Sequence, residues 1–175
     1  MRYCLILSLL TPLYTSISLA ENSKMTDNNF FTISVSCSGQ KECTYNNQSE
    51  IPVIVSFQNI YFKGYYIPLE YIQKTGPSVK LTDRGNKKSM PLKPNLVSWD
   101  LKKKMTYIPE GGNIEFTWTL LDRDILSFIS DGNLNVDADF KIRTKIYEDK
   151  EKEIGDFISL SKLVIKGSNL NENKR

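Results

Sequence analysis

Leu134 to Tyr147 alternates without a break. Leu134, Val136, Ala138, Phe140, Ile142, Thr144 and Ile146 fall on one side, and Asn135, Asp137, Asp139, Lys141, Arg143, Lys145 and Tyr147 on the other. A period of two is the signature of a strand with one face in a core and one in water. That is the antiparallel case, because parallel strands are covered on both faces. Asn113 to Leu121 repeats the pattern, with Ile114, Phe116, Trp118 and Leu120 inward and Glu115, Thr117 and Thr119 outward. Trp118, between Phe116 and Leu120, is expected in the core.

Shorter segments of the same kind fill much of the chain. Phe30 to Ser36 places Phe31, Ile33 and Val35 on one face, and Ile51 to Phe57 does so with Ile51, Val53, Val55 and Phe57. Pro52 confines the latter to a strand start or an edge. Val79 to Thr82 is a short strand ended by the turn Asp83-Arg84-Gly85-Asn86, and Phe157 to Ile165 is the last strand. Leu96 to Leu101 and Met105 to Ile108 are further strand candidates, and Lys87 to Asn95, with two prolines, is a loop. Asp122 to Ser130 fits a short helix, with Ile125, Leu126, Phe128 and Ile129 at helical spacing. Seven to nine strands with one buried face imply an antiparallel β-sandwich with one short helix between late strands. A closed barrel is the alternative.

The order apolar strand Ile51–Phe57, turn Pro109–Gly112, Trp-centred strand Asn113–Leu121 and long alternating strand Leu134–Tyr147 resembles bacterial immunoglobulin-like domains. The resemblance implies an immunoglobulin-like β-sandwich. It implies no functional residue, and the inter-sheet disulfide of antibody domains is missing.

Residues 1–20 read as a secretory signal peptide: Arg2, the apolar run Cys4 to Leu10, and small residues at Ser18 and Ala20. Residues 21–29 are a polar leader, 30–167 the folded domain and 168–175 a disordered tail. The expected destination is the periplasm or the medium. After removal of the signal, 22 basic and 20 acidic residues leave a net charge of +2, against a nucleic-acid partner. No later stretch is long and apolar enough to span a bilayer. Cys37 and Cys43 remain, enclosing a Gly-containing polar loop, and a structural disulfide between them is expected. Asn47-Gln48-Ser49 is a glycosylation triplet that matters only in a eukaryote.

The sequence contains no histidine. That removes Ser-His-Asp and Cys-His catalysis and ordinary zinc sites. No catalytic residue, cofactor or metal is expected. The carboxylate pairs Asp137/Asp139 and Asp122/Asp124 suit a solvated strand face and a helix start better than a glycosidase pair or a calcium loop. Lys102-Lys103-Lys104 suits an edge-protecting cluster. The best binding candidates are Tyr61, Tyr65 and Tyr66, in an aromatic segment interrupted by Gly64 and Pro68, as a recognition loop would be. The expected function is therefore a non-enzymatic exported binding protein with a protein partner, such as an inhibitor or immunity protein. A carbohydrate-binding or adhesin-like domain is the alternative, and a His-free carboxylate enzyme the second.

Overall fold

A computed structural model describes residues 30–47 and 49–170. The expected signal peptide, the leader, most of the tail and Gln48 of the glycosylation triplet lie outside the described residues.

Two sheets face each other across one apolar core. The smaller has the order β1 (Phe31–Ser36), β3 (Ile51–Asn59), β8 (Asn113–Leu120), all antiparallel. The larger runs β2 (Glu42–Thr44), β10 (Glu153–Gly167), β9 (Leu134–Tyr147), β4 (Tyr65–Ile67), β7 (Thr106–Ile108). β5 (Ser78–Asp83) joins β9 on the side away from β10, and β6 (Ser89–Pro91) joins β5. Among the described residues only the short β2–β10 pairing is parallel. The expected all-β sandwich is therefore present, and α2 (Asp122–Ile125) is the short helix between late strands, followed by a 3-10 turn at Leu126–Phe128.

β9 is the spine of the large sheet. It has the bounds the alternation predicts, and Leu134 through Ile146 are buried at every second position. Its whole length pairs with β10, while β5 and β4 share the other side. Cys37 and Cys43 are bonded, with Cα atoms 5.3 Å apart, and Cys43 is buried. Tyr45 is buried too, and its hydroxyl donates to Asp122 at the start of α2.

Several expectations need correction. Trp118 is half-buried, because β8 is an edge strand. Its ring meets Phe140 edge-to-face at 6.0 Å, and one side borders a groove of about 540 Å³ between β8 and residues 90–95. Gly76 closes helix α1 (Leu69–Thr75) at φ 75°, and a Cβ there would strike the Trp118 indole. That helix was not foreseen, and neither was the short strand β6 within the expected loop. Trp99–Leu101, expected as the end of a strand, belong instead to a 3-10 turn, Trp99–Lys103, capped by Ser98, whose hydroxyl accepts from the Asp100 N–H. The packed chain also runs past residue 167: Leu170 is buried and its N–H donates to the Gly132 carbonyl at 2.9 Å.

Asn59 joins the sheets. Its side chain is fully buried. The amide nitrogen donates to the carbonyls of Lys63 (2.9 Å), Ile108 (3.1 Å) and Pro109 (2.9 Å), and the amide oxygen accepts from the Tyr61 N–H at 3.0 Å. Its backbone N–H donates to the Gly112 carbonyl. The chain changes sheet twice at this point, from β3 to β4 and from β7 to β8, and one amide fastens both crossings. Asn59→Ala strands buried backbone groups and should cost about 3 kcal/mol, since each buried group left unpaired costs ~1–3 kcal/mol. Trp118→Ala, at a half-buried edge, should cost about 2–3 kcal/mol, below the ~3–5 of a fully enclosed ring. Chemical denaturation of both variants checks the order.

Candidate functional site

The expected cluster Tyr61, Tyr65 and Tyr66 does not form one surface. Residues 65–67 are a strand, so their side chains alternate. Tyr65 is 1% exposed and belongs to the core, with its ring edge-on to Phe30 at 5.0 Å and to Phe31 at 6.4 Å. Burial raises its hydroxyl pKa. Tyr61 is half-buried against Phe30, at 5.2 Å. Tyr66 alone points outward from the sheet, between buried neighbours Tyr65 and Ile67.

Tyr66 is the middle of a row that alternation within single strands does not reveal. Tyr107 on β7 lies directly opposite it on one side, and Tyr147 on β9 directly opposite on the other. The Tyr66 and Tyr107 rings are 5.0 Å apart. Three tyrosines from three adjacent strands thus stand side by side on the outer face, where directly opposed side chains are nearest neighbours. Tyr107 is 51% exposed. Gly64 makes room for it: a Cβ at that position would collide with the outer end of the Tyr107 ring.

Two surface clefts continue the row. One, of about 300 Å³, lies between Pro68, Tyr71, Lys102, Arg143 and Tyr147. The other, of about 440 Å³, lies between Trp99, Lys102, Met105, Tyr147 and Lys150. Lys102 and Tyr147 line both, so the clefts adjoin. Trp99 stands 75% exposed at the margin. The Lys102 ammonium lies 3.5 Å from the Trp99 ring centroid and 4.7 Å from that of Tyr71.

In the β3–β4 turn Phe62 is 69% exposed and its ring is 4.1 Å from that of Tyr61. Lys63 in this turn forms an ion pair with Glu148 in the β9–β10 turn, and Lys152 pairs with the same carboxylate. The hydrogen bonds from Lys152 and Lys63 lower the Glu148 pKa from 4.5 to about 2. A depressed folded-state pKa means that the tie is complete above the unfolded value and is lost only as pH falls through about 2. The groups are exposed, so the tie orders the turns more than it stabilises the fold.

The other candidates are structural. Asp137 lies between Arg84 at 2.9 Å and Lys162 at 3.1 Å, and Lys162 reaches Asp139 at 3.8 Å. The three lysines part company: Lys102 lies on its rings, Lys103 pairs with Asp100 at 3.5 Å and Lys104 with Glu70 at 3.1 Å. No group of three metal-ligating acidic, Cys or His side chains converges among the described residues.

No family model and no curated protein sequence matches the chain. Among solved structures, one resembling it is the structural-genomics target SoR45 (12% identity, TM-score 0.42, 78% of this chain and 87% of the other). Another is the ASH/PapD-like domain 7 of human CEP192 (9%, TM-score 0.39, 95% and 96%). A β-glucosidase from Listeria innocua in complex with isofagomine aligns over 16% of its own length (15%, TM-score 0.34, 81% of this chain). At these scores none bears on function.

Two outcomes are expected. Gly64→Ala should displace the Tyr107 ring from Tyr66 while changing stability by less than about 1 kcal/mol, because an exposed ring end can move aside; aromatic NMR shifts report the first and denaturation the second. In a carboxyl NMR titration Glu148 should show a midpoint near 2, and Lys152→Gln should raise it.

Proposed function

We propose that this chain is an exported, non-enzymatic binding protein that holds a protein partner on the outer face of its larger sheet. The observation that carries the reading is the row Tyr107–Tyr66–Tyr147 on three adjacent strands, continued past Tyr147 to the exposed Trp99 by a shared cleft. Tyr and Trp offer large, stiff contact area at small entropic cost and are enriched at protein interfaces. Met105 lines the cleft with Trp99 and Tyr147, so the surface offers a flexible apolar side chain beside the rings. That mixture suits a protein surface better than a sugar, which wants ring faces and paired carboxylate or amide groups. The row rests on paired strands, so little ordering is needed on binding.

Export is supported by the apolar N-terminal run and by the Cys37–Cys43 bond, of a kind that persists in oxidising compartments. No helix among the described residues is long and apolar enough to cross a membrane. An inhibitor or immunity role in the periplasm fits a small rigid domain with one binding face. The catalytic alternative gains nothing from Asp137, which is held between two cations.

The tyrosine row also favours a second reading, carbohydrate stacking, which a glycan array separates from the first. For the first, the partner is captured from the native cell, identified by mass spectrometry, purified and titrated. Tyr107→Ala and Tyr147→Ala should each weaken its binding about tenfold or more, as central aromatic contacts do, with thermal stability nearly unchanged. Wild-type affinity in both variants would overturn the reading.

A further inference from the structure

We propose that the adjoining clefts at Lys102 and Tyr147 receive an acidic peptide segment of the partner, with its carboxylates at Lys102 and Lys150. This rests on the protein-binding reading above and names the chemistry of the partner.

The argument is the pairing of charges around the clefts. Asp100 is taken by Lys103 at 3.5 Å and Asp156 by Arg143 at 3.2 Å, while outside the cleft walls Glu70 is taken by Lys104 and Glu153 by Lys145. Asp100 is the one carboxylate that lines the cleft shared by Lys102 and Lys150, and it already has its cation; Asp149 and Glu151, on either side of Lys150 in the chain, do not line it. Among the described residues, Lys102 and Lys150 form no ion pair with a carboxylate, and both line the same cleft. The surface therefore presents two surplus positive charges to whatever lies in it.

Lys102 is also held ready. Its ammonium sits against the faces of Trp99 and Tyr71, an attraction that leaves its outward N–H donors free. A lysine usually gives up much rotamer freedom when it forms a contact, and here part of that loss is already incurred. Tyr71 is fixed by helix α1, and the 3-10 turn that carries both Trp99 and Lys102 is tied to the same helix through Lys104 and Glu70. Neither of the two elements that build this wall is announced by the sequence.

Charge complementarity then selects the occupant. Two separated ammonium groups match side-chain carboxylates spaced along a peptide. A nucleic acid would call for a continuous basic track, and the chain as a whole is only slightly basic, at +3. The guanidinium that would grip a phosphate by two bonds, Arg143, is already engaged by Asp156. Between the cations the walls are Trp99, Tyr147 and Met105, so apolar residues between the acids would find contact.

The test uses the folded domain and defined probes. Acetyl-Glu-Tyr-Glu-Phe-Glu-amide is compared with its Gln-for-Glu counterpart, with polygalacturonate and with a thymidine oligonucleotide. Binding is followed by the indole NMR signal of Trp99. The acidic peptide should bind saturably and at least about tenfold more tightly than the Gln peptide, with the difference shrinking as salt rises. Lys102→Gln and Lys150→Gln should each remove most of that difference with circular dichroism unchanged. Equal binding of the two peptides, tighter binding of the polysaccharide or oligonucleotide, or no loss in either lysine variant would overturn the proposal. The native partner separates the two readings. Should the tyrosine variants weaken it while the lysine variants do not, the acidic segment is wrong and the binding face stands. Should neither set weaken it, the binding face itself is wrong.

Discussion

One buried amide sets the geometry on which the rest depends. A two-sheet sandwich must carry its chain across from one sheet to the other, and each crossing exposes backbone groups that neither ladder satisfies. In this protein two crossings, β3 to β4 and β7 to β8, meet at Asn59. The amide divides its two N–H groups among three carbonyls and returns its oxygen to the Tyr61 N–H. No apolar residue of similar size could do this. The consequence reaches the surface. The same crossings deliver β4 and β7 to the large sheet side by side, and so set Tyr66 opposite Tyr107. The tyrosine row is displayed on the outside by a polar contact in the interior.

The two sheets divide the labour. The small sheet contributes its inner face to the core, and its edge strand β8 is only partly covered. The large sheet has both a buried face and a broad outer one. On that outer face the charged residues of β9 and β10 pair across strands, as Arg143 does with Asp156 and Lys162 with Asp137. Such exposed pairs contribute little to stability. Their effect is to neutralise the middle of the sheet, so that its aromatic end and the surplus lysines beside it stand apart in character.

The period-two pattern made the strands legible because burial of one face leaves no freedom in register. It gave β9 its bounds, and the two cysteines gave the disulfide. The same rule, applied to three residues, would have separated Tyr65 and Ile67 from Tyr66. The interruptions at Gly64 and Pro68 suggested a surface loop instead. Gly64 is there for clearance under the Tyr107 ring, and Pro68 opens helix α1. Both are local breakers whose cause lies elsewhere in the chain, and no local reading supplies it. Alternation puts Tyr147 on the outward side of its strand, and Tyr107 lies within the strand candidate Met105–Ile108. What was missing was that β7, β4 and β9 are neighbours. Adjacency of three strands separated by up to eighty residues of chain is a property of topology, and alternation carries no information about it. Trp99 falls inside the strand candidate Leu96–Leu101, because a 3-10 turn has no periodicity of its own that would set it apart from a short strand.

The charge balance of the chain has a meaning that its total hides. A net charge of +3 is too small to attract a polyanion, and read as a total it predicts no electrostatic preference. The structure resolves the total into local pairs and a local remainder. Within the cleft beside the tyrosine row Asp100 is taken by Lys103, which leaves Lys102 and Lys150 as its local remainder. An ammonium against two ring faces keeps its charge and loses mobility, so its field has a fixed direction. A binding face of this kind would gain its affinity from the rings and its choice of partner from two charges. That division is common where apolar area supplies the free energy and complementary charge supplies the discrimination.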